Sequence, residues 1–350
     1  MNVECCLIAT YAHNVATNLA TTIARCSSDS TVCERFTSTA ASYHARDVEP
    51  APCRLARLGR QVSPSSIILL TLLNWVSHSY ASDGIQYVGE LLNNTIGPTY
   101  TYYIRLDDDP SADRTATFLG NLTVQVDKVC QDLASDPILS AAPAINAIGF
   151  SQGGQFMRAY VERCNIPRVS TLVTFGSQHN GISEIQNCEN NDWLCQSWQG
   201  ILKANKWTSF VQSRLVPAQY YRDPEQLDAY LESSNFLADI NNEREAKNET
   251  YRKNMKKLDR FAMFMFSNDT TVIPPESAYF AEVNTTSAEV TKLQDRDMYK
   301  EDWIGLKYLD EMGKLDFRVA EGGHMQFADN VLADCFDQYF RGTPSGPLEL

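Results

Sequence analysis

The pentapeptide Gly149-Phe150-Ser151-Gln152-Gly153 constrains the fold of this chain more than any other part of its sequence. It matches the pattern G-x-S-x-G, in which a serine lies on a strained turn between a strand and a helix. The apolar segment 143–150 precedes the pattern, and segment 155–163 has helical character. This context argues against an incidental serine in a glycine-rich turn. The sequence therefore predicts that the Ser151 hydroxyl is exposed at the carboxyl edge of a parallel sheet.

Strands and helices are predicted to alternate around this turn. The strand patterns cover 99–106, 143–150, 169–175, 261–266 and 315–319, and the helical patterns cover 84–93, 116–134, 155–163 and 328–340. Such alternation implies an α/β protein with a mainly parallel sheet and helices on both faces. The polar stretch at about 177–258 interrupts it and is expected to form a mostly helical cap insertion. We therefore predict an α/β-hydrolase fold over residues 66–345.

Residues 1–65 are predicted to be an atypical N-terminal extension, because their periodicity is weak. The apolar run Ile67–Trp75 follows several arginines and precedes small residues, which is the layout of a secretory signal. The run fits a buried first strand of the sheet equally well, and the sequence leaves both interpretations open. It is too short to cross a bilayer comfortably, so no stable membrane span is expected.

The charge balance and the cysteines restrict the function further. A net charge of −13 argues against nucleic acid as a partner, because nucleic-acid-binding proteins usually carry a basic patch. The ten cysteines include no C-x-x-C pair, so we expect no metal site. Together with N-x-[ST] sequons they favour an oxidising, secretory compartment. The sequons lie at Asn93, Asn121, Asn248, Asn268 and Asn284.

A serine nucleophile needs a base, and the five histidines offer few choices. In α/β-hydrolases the serine, the acid and the histidine follow one another in that order along the chain. This order excludes every histidine before Ser151, and His179 leaves little room for an acid before it. His324 remains, in a glycine-containing loop after the last predicted strand. His179 is interpreted as a polar residue near the site entrance.

The acid that orients this histidine is predicted to be Asp269. Asp269 follows the apolar run 261–266 directly, whereas the other candidates lie in the insertion or in a polar stretch. The backbone N–H of Gln152, at the start of a helix, is predicted to donate to the oxyanion. The predicted catalytic set is therefore Ser151, His324 and Asp269, with Gln152 as an oxyanion donor.

Several strings around these residues resemble the palmitoyl-protein thioesterases of the lysosomal type, with fungal members most similar. They are Ile148–Arg158, Ser177–Gly181, Asn268–Thr270, Gly323–Gln326, Arg105–Asp109 and Gly120–Thr123. The resemblance implies hydrolysis of palmitate and other long acyl chains from the cysteines of S-acylated proteins or peptides, or of other fatty acyl thioesters. It implies no cofactor and no metal. A lysosomal, vacuolar or secreted location is expected.

The resemblance also assigns individual residues. Ser151, Asp269 and His324 match the catalytic positions of the family. Cys130 with Cys164, and Cys188 with Cys195, match its disulfides. Asn268 matches a glycosylation site, and Asn121, Asn248 and Asn284 are expected to be glycosylated as well.

One departure from the family raises two alternative functions. The family's first core strand usually ends in His-Gly-x-Gly-Asp, a loop that supplies the second oxyanion donor. Here the segment Trp75–Tyr80 contains no glycine. Losing one oxyanion donor typically lowers turnover by about 10²–10³. The alternatives are therefore a carboxylester lipase or esterase with the same catalytic residues, and a catalytically impaired lipid-binding member of the family.

Overall fold

The structure is a computed structural model. It describes residues 79–184, 200, 202 and 204–341, and the backbone of Thr22–Cys26, Cys33–Thr37 and Ile67–Leu73. The chain divides into one unit at 1–61 and another at 62–350. In the first unit, strands β1 (Thr22–Cys26) and β2 (Cys33–Thr37) pair in antiparallel fashion. The sequence did not predict this pair, because its alternation of polar and apolar residues is weak.

The second unit is built on a six-stranded sheet in which every neighbouring pair of strands runs parallel. The strand order is β10-β7-β6-β5-β3-β4. The strands are β3 (Ile67–Leu73), β4 (Tyr100–Tyr103), β5 (Ile145–Ser151), β6 (Val169–Phe175), β7 (Arg260–Phe266) and β10 (Leu315–Ala320). Strands β8 (Glu282–Val283) and β9 (Val290–Thr291) form a separate antiparallel pair. The predicted α/β class with a parallel sheet is confirmed.

The apolar run after the arginines is a strand in this structure. Strand β3 pairs with β4 on one side and with β5 on the other, and Leu73 lies level with Ser151. Strand β3 is therefore an interior strand of the sheet, and its sequence is apolar except at Thr71. The chain therefore has a strand immediately before the expected oxyanion loop. Residues 74–78 of that loop lie outside the described residues.

Helices cover both faces of the sheet and bury different sides of the same strands. Helices α1 (Asp83–Ile96) and α12 (Asp329–Phe340) pack with Ile148 and Phe150 in one hydrophobic cluster. Helices α3 (Leu122–Ser135) and α4 (Gln152–Arg163) pack with Ile145 and Ala147 in another. Successive side chains of a strand point to opposite faces, so β5 contributes to both layers. The predicted helices on both faces are thus present.

The helix predicted at 116–134 begins too early, because residues 117–121 separate two helices. Helix α2 (Pro110–Ala116) ends before Phe118, and α3 begins after Asn121. The side chain of Asn121 accepts a hydrogen bond from the backbone N–H of Val124 at 3.2 Å and so caps α3. An asparagine cap competes with helix continuation, and this local signal outweighs the apolar periodicity.

The polar insertion between β6 and β7 contains short helices, as predicted. They are α5 (Ser209–Gln212), α6 (Val216–Gln219), α7 (Leu227–Ser233), α8 (Leu237–Ile240) and α9 (Glu249–Met255), with a 3₁₀ helix at Pro224–Gln226. Helices α10 (Asp297–Lys300) and α11 (Leu306–Glu311), and 3₁₀ helices at Pro275–Tyr279 and Leu293–Asp295, lie between β7 and β10. None of the helices in the described part of the chain is both long and apolar enough to span a bilayer.

Buried hydrogen bonds from Arg158 connect the insertion to helix α4. The guanidinium of Arg158, fully buried, donates to Glu162 at 2.8 Å and to Asn241 at 2.8 Å. It also donates to the backbone carbonyl of Ile240 at 3.1 Å. Because Asn241 and Ile240 belong to the insertion, these bonds hold it against the helix that follows Ser151.

Candidate active site

Ser151 lies on a strained turn at the end of β5, directly before α4. Its φ of 51° is in the left-handed region, and only 4% of the residue is exposed. A Cβ atom at Gly149 would lie 2.5 Å from the Cα of Gly154. A Cβ at Gly154 would in turn lie 1.9 Å from the Ser177 hydroxyl. The turn therefore requires glycine at both positions, as its sharp geometry suggests.

A histidine and an aspartate from distant parts of the chain meet at this serine. The Nε2 atom of His324 lies 3.0 Å from the Ser151 hydroxyl, and its Nδ1 atom lies 2.7 Å from the Asp269 carboxylate. The other oxygen of that carboxylate accepts the backbone N–H groups of Thr271 and Val272, each at 2.9 Å. The aspartate is thus fixed by the backbone and can orient the imidazole. The structure brings together the three residues predicted from the sequence.

The loop that carries His324 depends on a glycine. Gly322 has a φ of 121°, and a Cβ atom there would lie 2.3 Å from the Gln326 carbonyl oxygen. The carbonyl of Gly322 accepts the backbone N–H of Asn268 at 3.0 Å. Since Asn268 precedes Asp269, this bond fixes the histidine loop to the aspartate loop. The spacing between the two side chains is therefore set by backbone contacts.

A pocket adjoins the serine and is largely apolar. About 340 Å³ of space not occupied by atoms lies within it, part of which is open to solvent. Its lining consists of Ser151, Gln152, Gln178, Ile182, Tyr220, Thr271 and Val272. Gln178, Ile182 and Tyr220 come from the insertion, which therefore forms part of the pocket wall. None of these three residues was predicted to be part of the site. Gln178 and Gly181 belong to a string quoted for the family resemblance, but Tyr220 carries no local signal.

The interpretation of His179 as a residue near the entrance is wrong. His179 is fully buried, and its Nε2 atom lies 3.1 Å from the Thr174 hydroxyl. The ring stacks on Phe280 at 4.8 Å between centroids. Burial, with a smaller effect of the nearby Arg158 charge, holds the pKa of His179 well below its ordinary value. It is a core residue, and its burial favours the neutral imidazole.

Gln152, the predicted oxyanion donor, is the first residue of α4 and is 2% exposed. Its backbone N–H lies in the first turn of the helix, where such groups have no partner within the helix. Its side-chain Nε2 donates to the Thr117 carbonyl at 3.2 Å. The side chain is therefore held beside the serine by the loop between α2 and α3.

The cysteines and sequons are distributed as follows. Cys130 and Cys164 form a disulfide with a Cα–Cα distance of 6.0 Å, which links α3 to the end of α4. Cys188 and Cys195 lie outside the described residues. Asn248, Asn268 and Asn284 are exposed, whereas Asn121 is half-buried and caps α3. In the described part of the chain, no three His, Cys, Asp or Glu side chains are grouped as metal ligands.

The parallel sheet and the serine turn, with a histidine and an aspartate after later strands, define this protein as an α/β-hydrolase. Comparison with known proteins narrows the class. A family profile described as "Palmitoyl protein thioesterase" matches residues 73–324. "Palmitoyl-protein thioesterase 1" of Caenorhabditis elegans is 35% identical over 255 residues, which cover 72% of this chain and 85% of the relative.

Further relatives agree. "Palmitoyl-protein thioesterase 3" of Dictyostelium discoideum is 36% identical over 217 residues, covering 62% of this chain and 72% of the relative. "Lysosomal thioesterase PPT2" of Mus musculus is 28% identical over 176 residues, covering 49% of this chain and 57% of the relative. The chain belongs to the palmitoyl protein thioesterase family, and the resemblance noted in its sequence is confirmed.

Proposed function

We propose that this protein hydrolyses thioester bonds between long-chain fatty acyl groups, chiefly palmitate, and the cysteines of lipidated proteins. The observation that carries the proposal is the hydrogen-bonded triad of Asp269, His324 and Ser151. The Asp269 carboxylate lies 2.7 Å from Nδ1 of the histidine, and the serine hydroxyl lies 3.0 Å from its Nε2. The serine of this triad lines a pocket that also contains the apolar side chains of Ile182 and Val272. Family membership supports thioesters as the substrate class.

The chemistry follows from these contacts. His324 accepts the proton of the Ser151 hydroxyl at Nε2 as the oxygen attacks the thioester carbonyl. Asp269 holds the ring in the required tautomer through Nδ1 and stabilises the imidazolium. His324 then returns the proton to the departing thiolate. The acyl-serine formed is cleaved by water, with His324 again as the base, which releases the fatty acid.

The negative oxygen of the tetrahedral intermediate needs donors. The backbone N–H of Gln152 is one donor, because it begins α4 next to the nucleophile and the helix dipole favours negative charge there. The strand before the second expected donor is β3. The sequence Trp75–Tyr80 that follows contains no glycine, and residues 74–78 lie outside the described residues.

We further propose a lysosomal, vacuolar or secreted location. The name of the mouse relative, the Cys130–Cys164 disulfide and the exposed sequons at Asn248, Asn268 and Asn284 support it. Disulfides persist in oxidising compartments and are rare in the cytosol. Treatment of the protein from its native cells with an N-glycosidase is expected to lower its apparent mass. An unchanged mass would contradict the glycosylation part of this proposal.

The test is hydrolysis of a palmitoyl-cysteine peptide by the purified protein. Ser151→Ala is expected to abolish turnover, while the exposed Ser213→Ala is expected to leave it unchanged. Parallel assays with a nitrophenyl ester of palmitate separate a thioesterase from a general esterase. A folded wild-type protein that cleaves neither substrate, and whose Ser151 does not react with a fluorophosphonate probe, would identify an impaired, lipid-binding family member.

A further inference from the structure

Two glutamine side chains beside Ser151 have carbonyl oxygens without a partner. Gln152 and Gln178 both line the pocket, and they are 2% and 3% exposed. The Oε1 atom of each is buried and accepts no hydrogen bond within the described part of the chain. Buried acceptors are nearly always paired in native proteins, so each unpaired one calls for a physical explanation.

Each amide has a hydrogen-bond partner in the protein, and for Gln152 this partner sets the orientation. The Nε2 atom of Gln152 donates to the Thr117 carbonyl, which can only accept, so the oxygen of this amide must face the other way. The Gln178 amide is hydrogen-bonded to the hydroxyl of Tyr220, another pocket residue. Each glutamine is therefore anchored to the protein, and each has a carbonyl oxygen to offer.

The rest of the pocket does not satisfy these oxygens. Within the described part of the chain no pocket side chain donates to either oxygen, and the Ser151 hydroxyl faces His324. A bound molecule that brings N–H groups would pair the oxygens and recover the energy lost by burying them. A molecule of the same shape without N–H groups would leave them unpaired and would be rejected.

We infer that Gln152 and Gln178 accept hydrogen bonds from amide N–H groups next to the thioester, so that the site selects acyl-cysteine within a peptide. This inference rests on the proposed function and specifies its substrate. An acylated cysteine has its own backbone N–H and that of the following residue close to the sulphur. Acylglycerols have neither, whereas an acyl group on cysteamine has one.

The experiment compares matched thioesters of palmitate. One is N-acetyl-S-palmitoylcysteine methylamide, and the second is its analogue with both amide N–H groups replaced by ester oxygens. Wild-type kcat/KM is expected to be at least about 5-fold higher for the amide, because a buried acceptor left unpaired costs about that factor or more. S-palmitoyl-N-acetylcysteamine, with one N–H, is expected to fall between them.

The variant Gln178→Met keeps the length of the side chain and removes the acceptor. It is expected to lower the ratio of the two kcat/KM values several-fold, mainly by lowering the value for the amide, while the remaining acceptor of Gln152 keeps the ratio above one. Gln155→Met is the matched control, because Gln155 is also buried on α4 with both polar atoms unpaired but does not line the pocket. This control is expected to keep the wild-type ratio.

Equal wild-type rates on the amide and its ester analogue would overturn the inference while leaving the proposed function intact. An equal loss on both substrates in Gln178→Met would overturn it too, since the glutamine would then hold something other than the substrate amide. If Gln178→Met does not fold, non-hydrolysable thioether forms of both substrates are used as inhibitors of the wild-type protein. Equal inhibition constants would again refute the inference. Failure to cleave any thioester, without fluorophosphonate labelling of Ser151, would refute the proposed function as well.

Discussion

Replacing Gly149 by alanine should show how strictly the serine turn depends on close backbone packing. The added Cβ would lie 2.5 Å from the Cα of Gly154 and 2.6 Å from both its nitrogen and the carbonyl oxygen of Gly153. All three atoms belong to the backbone of α4, so no side chain can rotate away. Overpacking of a core typically costs about 1–3 kcal/mol, and we expect the upper end here. The steric clash can be relieved only if the segment that carries Ser151 moves.

The assay combines thermal unfolding with turnover of the palmitoyl-cysteine peptide. A loss of about 3 kcal/mol corresponds to a fall in melting temperature of roughly 5 °C for a unit of this size. A displacement of about 1 Å at the serine is expected to lower turnover about 100-fold. Gly84→Ala is the matched control: its Cβ meets nothing within 4 Å, and alanine in a helix is favoured by about 0.5–1 kcal/mol. If Gly149→Ala has wild-type stability and activity, the steric argument for the turn is refuted.

Further predictions concern Asp269 of the triad, the buried Glu162 and the disulfide. Asp269→Asn should lower kcat by roughly 10²–10⁴ with little change in KM, because the His324 ring loses its orienting acceptor; a decrease below about 10-fold in single-turnover assays would contradict this role. Burial raises the pKa of Glu162 from 4.5 to about 8, against the opposing effect of its arginine partner. The folded protein then holds a proton that the unfolded chain releases, so the stabilisation is full below pH 4.5 and is lost as the pH rises towards 8. The free energy of unfolding should therefore fall between about pH 5 and about pH 8, by up to about 1.4 kcal/mol per pH unit, and the melting temperature should fall with it. Glu162→Gln should flatten this dependence. An identical slope in the variant would contradict the role of Glu162. Removing the Cys130–Cys164 disulfide, which spans 34 residues, should cost roughly 4 kcal/mol in the loop-entropy picture, measured as a shift of the urea midpoint; an unchanged midpoint after reduction would exclude a stabilising role.

The catalytic candidates could be predicted because each has a local signature. The glycines around Ser151 reflect a backbone that has no room for side chains, as the distances at Gly149 illustrate. Asp269 and His324 follow strands directly, and the carboxyl ends of parallel strands meet at one edge of a sheet. Chain order then left few combinations to consider. These residues were therefore accessible without coordinates.

Other parts of the site could not be predicted, because they depend on contacts between distant segments. Whether His179 faces solvent or the core depends on packing against Phe280, which is far away in the chain. The pocket wall contributed by Tyr220 depends on how the insertion folds back over Ser151. The apolar periodicity at 116–134 suggested one helix, while the capping side chain of Asn121 separates two.

By itself the sequence determined the α/β class, the serine turn, the order of the three candidate catalytic residues and the family, since all of these depend on local patterns and their spacing. The apolar run Ile67–Leu73 shows where that information ends. A short buried strand and the core of a secretory signal have the same composition, because both must be uniformly apolar. Only the pairing of this run between β4 and β5 distinguishes them. Likewise, only the tertiary structure decided which glutamine oxygens remain unpaired beside Ser151, because hydrogen-bond satisfaction depends on every neighbour that folding brings near.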